Sequence, residues 1–227
     1  MKKVFKTIML FSLIAVATPS FAQLSNEQKK ERQEIQKMTR DEVRKKASKA
    51  ARKEAKTLQK QGWLVPAGAL PLDKQLERSY NMQYEISGTD MLPQYFWGEA
   101  MSIGETYDAA KMQATELAKQ NLAGQIQTEV TALIENTVSN QQLSKEQAVS
   151  ITQSIETSKS LIAQRIGRTI PVVELYRVKD GLNKEVIVRI AYNSETALSD
   201  AKKVLIEEMA KKGENMQQIL DAIMGLK

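Results

Sequence analysis

The sequence predicts an α+β domain: about four strands in an antiparallel or mixed sheet, helices on one face, and a long basic helix in front. Three observations predict it. Residues 95–104 alternate with period two, as a strand does. Alanine- and isoleucine-rich segments with helical spacing separate the strand-like runs. Two β-rich runs, 169–178 and 185–192, flank Asp180-Gly181, a hairpin signal. The element order β-α-β-α-β-β-α-α suits a sheet with segregated helices.

The first 22 residues read as an export leader. Lys2, Lys3 and Lys6 precede an apolar run from Ile8 to Ala17, and Ser20-Phe21-Ala22 places small residues before a cut between Ala22 and Gln23. The run is half the ~20 residues a spanning helix needs, so a cleaved signal is expected and no transmembrane span remains in the mature chain. Periplasmic or secreted residence in a Gram-negative envelope follows, with outer-membrane association through surface or partner.

Residues 23–61 form the basic arm. No Gly or Pro occurs from Ser25 to Gln61, and Lys, Arg, Glu, Gln and Ala dominate. Ser25 and Gln28 match a capping box, and Gly62 is a C-terminal stop. Its large apolar residues are sparse, so one long helix resting lightly on a surface, or projecting from it, is expected. Residues 62–94 read as an ordered strap: Pro66, Gly68 and Pro71 break regular structure, while Trp63, Leu64 and Val65 are too apolar for a free tether. A short helix over 72–84 and a loop at 87–90 complete it.

Residues 95–227 form the body. One face of the first strand carries Tyr95, Trp97, Met101 and Ile103; the other carries Phe96, Gly98, Ala100, Ser102 and Gly104, small enough for close approach by a helix. Thr106 caps the helix that follows, with Ala110, Ala114, Leu117, Ala118 and Leu122 facing the core. A second strand is expected over 128–139 from the alternation of Val130, Ala132 and Ile134. Ser144 and Gln147 form a capping box, with Leu143 stapling onto Ala148, ahead of an Ile151, Ile155, Ile162 stripe. After the hairpin, Ser194 caps a helix that buries Leu198, Ala201, Leu205 and Met209 and ends at Gly213. A last helix carries Met216, Ile219, Leu220 and Ile223 on one face.

Composition excludes much chemistry. The chain has no histidine and no cysteine, so neither a Ser-His-Asp nor a Cys-His arrangement can form, and zinc sites built from imidazole or thiolate are out. Carboxylate, lysine, tyrosine and serine–lysine chemistry and oxygen-ligand calcium or magnesium binding survive this exclusion; no cofactor or metal is expected. The formal charge is +6; the leader supplies three and residues 27–60 a net seven, leaving −4 from Gln61 onward.

The segments GEAMSIGE, YDAAKMQATELAKQNLAGQI, QTEVTALIENTVSN and EVIVRIAY, in that order over residues 95–210, resemble the twenty-kilodalton outer-membrane lipoprotein-like family. Its relatives include the N-terminal domain of a flagellar assembly protein. The resemblance implies a non-enzymatic envelope domain that mediates association. This chain lacks the lipidated cysteine and adds the arm and strap, so anchoring is not carried over.

Five candidate sites emerge. Arg44, Lys45, Lys49, Arg52, Lys53 and Lys56 cluster within about four helical turns. They suit lipid phosphates, lipopolysaccharide or an acidic partner, or a solvated helix crossing the acidic body; export makes nucleic acid a poor target. Trp63, Tyr84 and Trp97, near Tyr80, Tyr95 and Phe96, form the aromatic link of strap to sheet, or a groove for glycan, peptidoglycan or lipid. Ser102 echoes a nucleophile elbow without a base, and Ser199 with Lys202 has S-x-x-K spacing without companion motifs. Glu99, Glu105, Asp108, Glu129 and Glu135 lack calcium-loop spacing. The expected function is a non-enzymatic exported structural or interaction module whose basic helix contacts an anionic surface or envelope partner, with self-association left open.

Overall fold

The computed structural model describes residues 46–86, 93–139, 143–179, 181–213 and 216–224. Its elements are α1 (Lys49–Lys60), α2 (Leu72–Gln83), β1 (Tyr95–Gly104), α3 (Tyr107–Ser139), α4 (Lys145–Thr157), α5 (Lys159–Arg165), β2 (Ile170–Lys179), β3 (Asn183–Asn193), α6 (Ser194–Lys211) and α7 (Gln217–Met224). The α+β class holds. Among the described residues the sheet has three antiparallel strands, ordered β1-β3-β2, in place of the four expected.

The missing strand is helix. Residues 128–139 continue α3, which runs 33 residues without a break. Its buried positions are Ala110, Ala114, Ala118, Leu122, Ile126, Val130 and Ile134, a row spaced by four, with Ala123 beside Leu122. At 3.6 residues per turn each step overshoots by about 40°, so six steps swing the buried side by about 240° around a straight helix. The helix can therefore lie on β1 and β3 early and meet α4 and α5 later. Val130 and Ile134 are buried four residues apart on the helix while Ala132 between them is exposed, so their alternation with Ala132 only mimics a strand. One limb of the family resemblance, the expected polar strand, is thereby helical over residues 127–139. Leu117, expected inside, is exposed.

Helices cover both faces of the sheet, not one. On the first face Phe96, Val186, Val188, Ile190 and Tyr192 join the buried rows of α3 to α7. Gly98 sets the spacing there: a Cβ on it would lie 2.0 Å from the Ala118 carbonyl oxygen. The second face carries a smaller core in which Trp63, Leu72 and Leu76 pack on Val172, Val173, Leu175 and Ala191. Burying such a side chain contributes about 1.5–3 kcal/mol, so α1, α2 and the strap belong to the same compact unit as the body, Ala47–Lys227.

The long N-terminal helix is not seen as expected. Residues 46–48 are non-helical and α1 starts at Lys49, capped by the Ser48 hydroxyl, which accepts from Ala51 N at 3.2 Å. Its alanines, Ala51 and Ala55, are buried, so residues 49–60 lie on the body and do not project. Ser25, Gln28, Arg44, Lys45 and the Ala22/Gln23 cleavage point lie outside the described residues, as does the expected loop 87–90. The predicted capping box at Ser144 and Gln147 is formed. Asn193, not Ser194, caps α6, its side chain accepting from Thr196 N.

Both sheet edges are partly closed. The strap pairs with β2 through Leu64 N to Tyr176 O (2.8 Å) and Tyr176 N to Leu64 O (2.9 Å). On β1, Trp97 N donates to Gln125 Oε1 at 2.8 Å and Glu99 O accepts from Asn121 Nδ2 at 2.7 Å. Such coverage removes templates for aggregation. Gln75, buried on α2, ties the strap to the sheet: its Nε2 donates to Leu70 O at 2.7 Å and its Oε1 accepts from Glu174 N at 2.8 Å. Gln75→Leu leaves both backbone groups without their partner. It is expected to lower stability by about 2–4 kcal/mol in urea unfolding, at ~1–3 kcal/mol for each stranded group; unchanged stability would show that water replaces both bonds.

Candidate binding groove

The end of α1 builds the site. Gln61 closes the helix and Gly62 takes a positive φ of 85°. Gly62 N then bonds Gln59 O at 3.0 Å and Trp63 N bonds Leu58 O at 3.1 Å, the paired pattern of a Schellman stop. The reversal sends Trp63 back beneath the helix, where only 4% of it is exposed. Leu64 is then pinned to β2, and the strap runs beside α1 until Pro71 opens α2.

Between helix and strap lies an open groove of about 990 Å³. Lys49, Arg52, Lys53 and Lys56 line one wall, since steps of three and four residues share one helix face. Trp63, Leu64, Val65, Pro71 and Leu72 form an apolar floor and far side. Asp73 is the carboxylate at the groove, in the first turn of α2, where the helix dipole favours a negative charge. Among the described residues none of the four cations forms an ion pair. The acids that hold α1 to the body use other partners. Glu77 accepts from the backbone N of Ser48 at 2.7 Å, which lowers its pKa, and Glu54 accepts from the Tyr80 hydroxyl. That hydrogen bond, with burial, pushes the Tyr80 phenol up to about 12.

Beneath the groove Arg177 stacks on the Trp63 ring, 4.5 Å from its centroid, and donates through Nη1 to Gln61 O at 3.2 Å. Its Nε donates to Glu185 at 2.5 Å, and Lys179 Nζ reaches the other carboxylate oxygen at 3.2 Å. Burial opposes ionisation of Glu185, yet these two cations outweigh it and hold the carboxyl below its ordinary value.

The other sequence candidates disperse. Trp63 lines the groove, but Trp97 borders a separate depression of about 520 Å³ beside Asn121 and Gln125. Tyr84 is 78% exposed at the end of α2; the three aromatics do not share a cleft. Ser102 is buried and donates to Ala110 O at 2.5 Å, a strand-to-helix link. Lys202 pairs with Asp221 at 2.7 Å, joining α6 to α7. Glu99 pairs with Arg189. Among the described residues no three acidic groups gather as a metal site.

A cluster the sequence reading passed over joins Tyr107, Lys111 and Glu174. The Tyr107 hydroxyl donates to Glu174, and Lys111 Nζ lies 2.7 Å from the same carboxylate. Burial and that hydrogen bond push the Tyr107 phenol up, opposite to the lowering that would activate a nucleophile near neutral pH. Of the groove's apolar side, sequence reasoning singled out Trp63 but not Leu64, Val65, Pro71 and Leu72 as lining residues. Its signal is present as a cation row next to an alanine row, followed by Gly-Trp at the helix stop.

No family model, curated protein or solved structure matches this chain. No helix among the described residues is long and apolar enough to cross a membrane.

Proposed function

We propose that this chain is an exported, non-enzymatic interaction module of a Gram-negative envelope, and that its α1 groove binds an anionic envelope component. One observation carries the reading: Lys49, Arg52, Lys53 and Lys56 face a common groove without a carboxylate partner among the described residues. Clustered like charges repel one another, so an unneutralised row stabilises the bound state of an anion more than the free protein. The leader-like first 22 residues and the absence of histidine and cysteine support export and a non-enzymatic role. In this reading the body remains akin to the lipoprotein-like family, carrying the groove on an added N-terminal layer.

Co-sedimentation with Gram-negative envelope fractions tests it. Retention is expected to fall steeply as salt rises past about 0.15 M, where screening acts within ~8 Å. Replacing Lys49, Arg52, Lys53 and Lys56 together by glutamate should lower retention at least about tenfold, a change of ~1.4 kcal/mol, with the far-UV spectrum unchanged. Equal retention of the charge-reversed protein would refute the reading.

A further inference from the structure

The geometry points to a monomeric anionic amphiphile as the occupant of the α1 groove: a phosphate or carboxylate head on a single hydrocarbon chain. This inference rests on the proposed anion-binding role and narrows it to one chemical class. Two features of unlike chemistry face each other across one concavity. The cationic wall takes the head. Lys49 to Lys56 spans about 10 Å of helix at ~1.5 Å per residue, the scale of one head group with its linker. Arg52 offers the planar fork that grips a phosphate or carboxylate through two parallel hydrogen bonds.

The far side takes the chain. Leu64 is 51% exposed and Val65 is half-buried, both lining the groove beside Pro71. The buried Trp63 and Leu72 continue the floor beneath. An apolar strip of this kind inside a concavity gains about 25 cal/mol for each Å² that a chain covers. The volume, about 990 Å³, matches the upper end of small-ligand sites, ~300–1,000 Å³.

The same geometry disfavours two other anionic occupants. A bilayer surface is met by an amphipathic helix through bulky apolar residues on its outer face. The exposed positions of α1 are Lys49, Ala50, Arg52, Lys53, Lys56, Thr57, Gln59 and Lys60, none of them bulky and apolar. An extended acidic peptide gains affinity by pairing with a free strand edge. At the groove that edge is already used, since both Leu64 backbone groups bond Tyr176.

Titration calorimetry of the purified protein with four probes decides it: dodecyl phosphate below its micellar concentration, dodecanoate, glycerol phosphate and dodecyl maltoside. Dodecyl phosphate and dodecanoate are expected to bind at least about tenfold more tightly than the chainless anion or the uncharged amphiphile, ~1.4 kcal/mol per tenfold. Leu64→Asn, which keeps the backbone pairing, should weaken both anionic amphiphiles about fivefold and leave glycerol phosphate unchanged; Arg52→Gln should weaken every anion and spare dodecyl maltoside. A preference for dodecyl phosphate over dodecanoate assigns the head as phosphate, and the reverse assigns it as carboxylate. If glycerol phosphate or phosphatidylglycerol vesicles bind as tightly as dodecyl phosphate, the amphiphile is wrong while anion binding stands. If no anionic probe binds and envelope retention is salt-insensitive, both fall.

Discussion

Replacing Gly98 by alanine is expected to destabilise the protein by about 3 kcal/mol or more, above the ordinary range for an overpacked core. The added Cβ would lie 2.0 Å from Ala118 O, 2.9 Å from Ala118 C and 2.9 Å from the Leu122 Cβ. Two of those atoms are backbone, so no change of rotamer relieves the contact. Either α3 moves off β1, loosening the rows around Ala114, Ala118 and Leu122, or β1 shifts and strains its ladder with β3. For a chain of this size ~3 kcal/mol corresponds to a fall in Tm of roughly 6–12 °C, measurable by calorimetry. Gly124→Ala is the matched comparison on the same helix. There the new Cβ meets only the end of the Lys159 side chain, at 3.4 Å, and the helix gains about 0.5–1 kcal/mol from the lost glycine. Equal Tm values for the two variants would mean that α3 does not sit this close to β1.

The small-residue face of β1 was readable in sequence because its cause is local: alternation puts Gly98, Ala100, Ser102 and Gly104 on one side, and an alanine-rich helix follows directly. The hairpin and the α4 cap were readable for the same reason. The length of α3 was not: the stripe from Ala110 to Leu122 was legible, but a drift of about 40° for every four residues carries Val130 and Ile134 off that face. The second layer was hidden differently. Nothing in the arm's composition distinguishes an alanine face resting on α2 from one left in solvent, and the deciding contacts are separated widely in sequence. Ser48 N reaches Glu77, Gln75 meets Glu174, and Arg177 meets Trp63 and Gln61. The cations of the candidate site were therefore legible, while the groove that gives them a shape depends on long-range packing.

Arg177→Met is expected to cost about 3 kcal/mol at neutral pH and to make stability less dependent on pH in acid, because the loss is already present before acidification. Removing one partner of a buried ion pair leaves an uncompensated charge, typically worth ~3–5 kcal/mol; Lys179 still reaches Glu185, which places the expected loss at the lower end. The carboxylate is covered almost completely, its side chain 1% exposed, so burial alone would favour the protonated form. In the intact protein the two cations reverse that preference, and the folded-state pKa lies below the ordinary 4.5. The stabilisation from ionised Glu185 is thus fully present above about pH 4.5 and is lost as pH falls through the lower folded value. Without Arg177 the folded pKa rises toward the unfolded value, so less stability is lost on acidification and the acid limb flattens. Glu185→Gln removes this titration altogether, so urea midpoints taken between pH 3 and 7 should show a flatter acid limb than wild type. Methionine also cannot cover the Trp63 ring as a cation or bond Gln61 O, so the same substitution should loosen the strap and weaken anion binding at the groove. Acid limbs that coincide for wild type, Arg177→Met and Glu185→Gln would show that Glu185 titrates alike in the folded and unfolded chain.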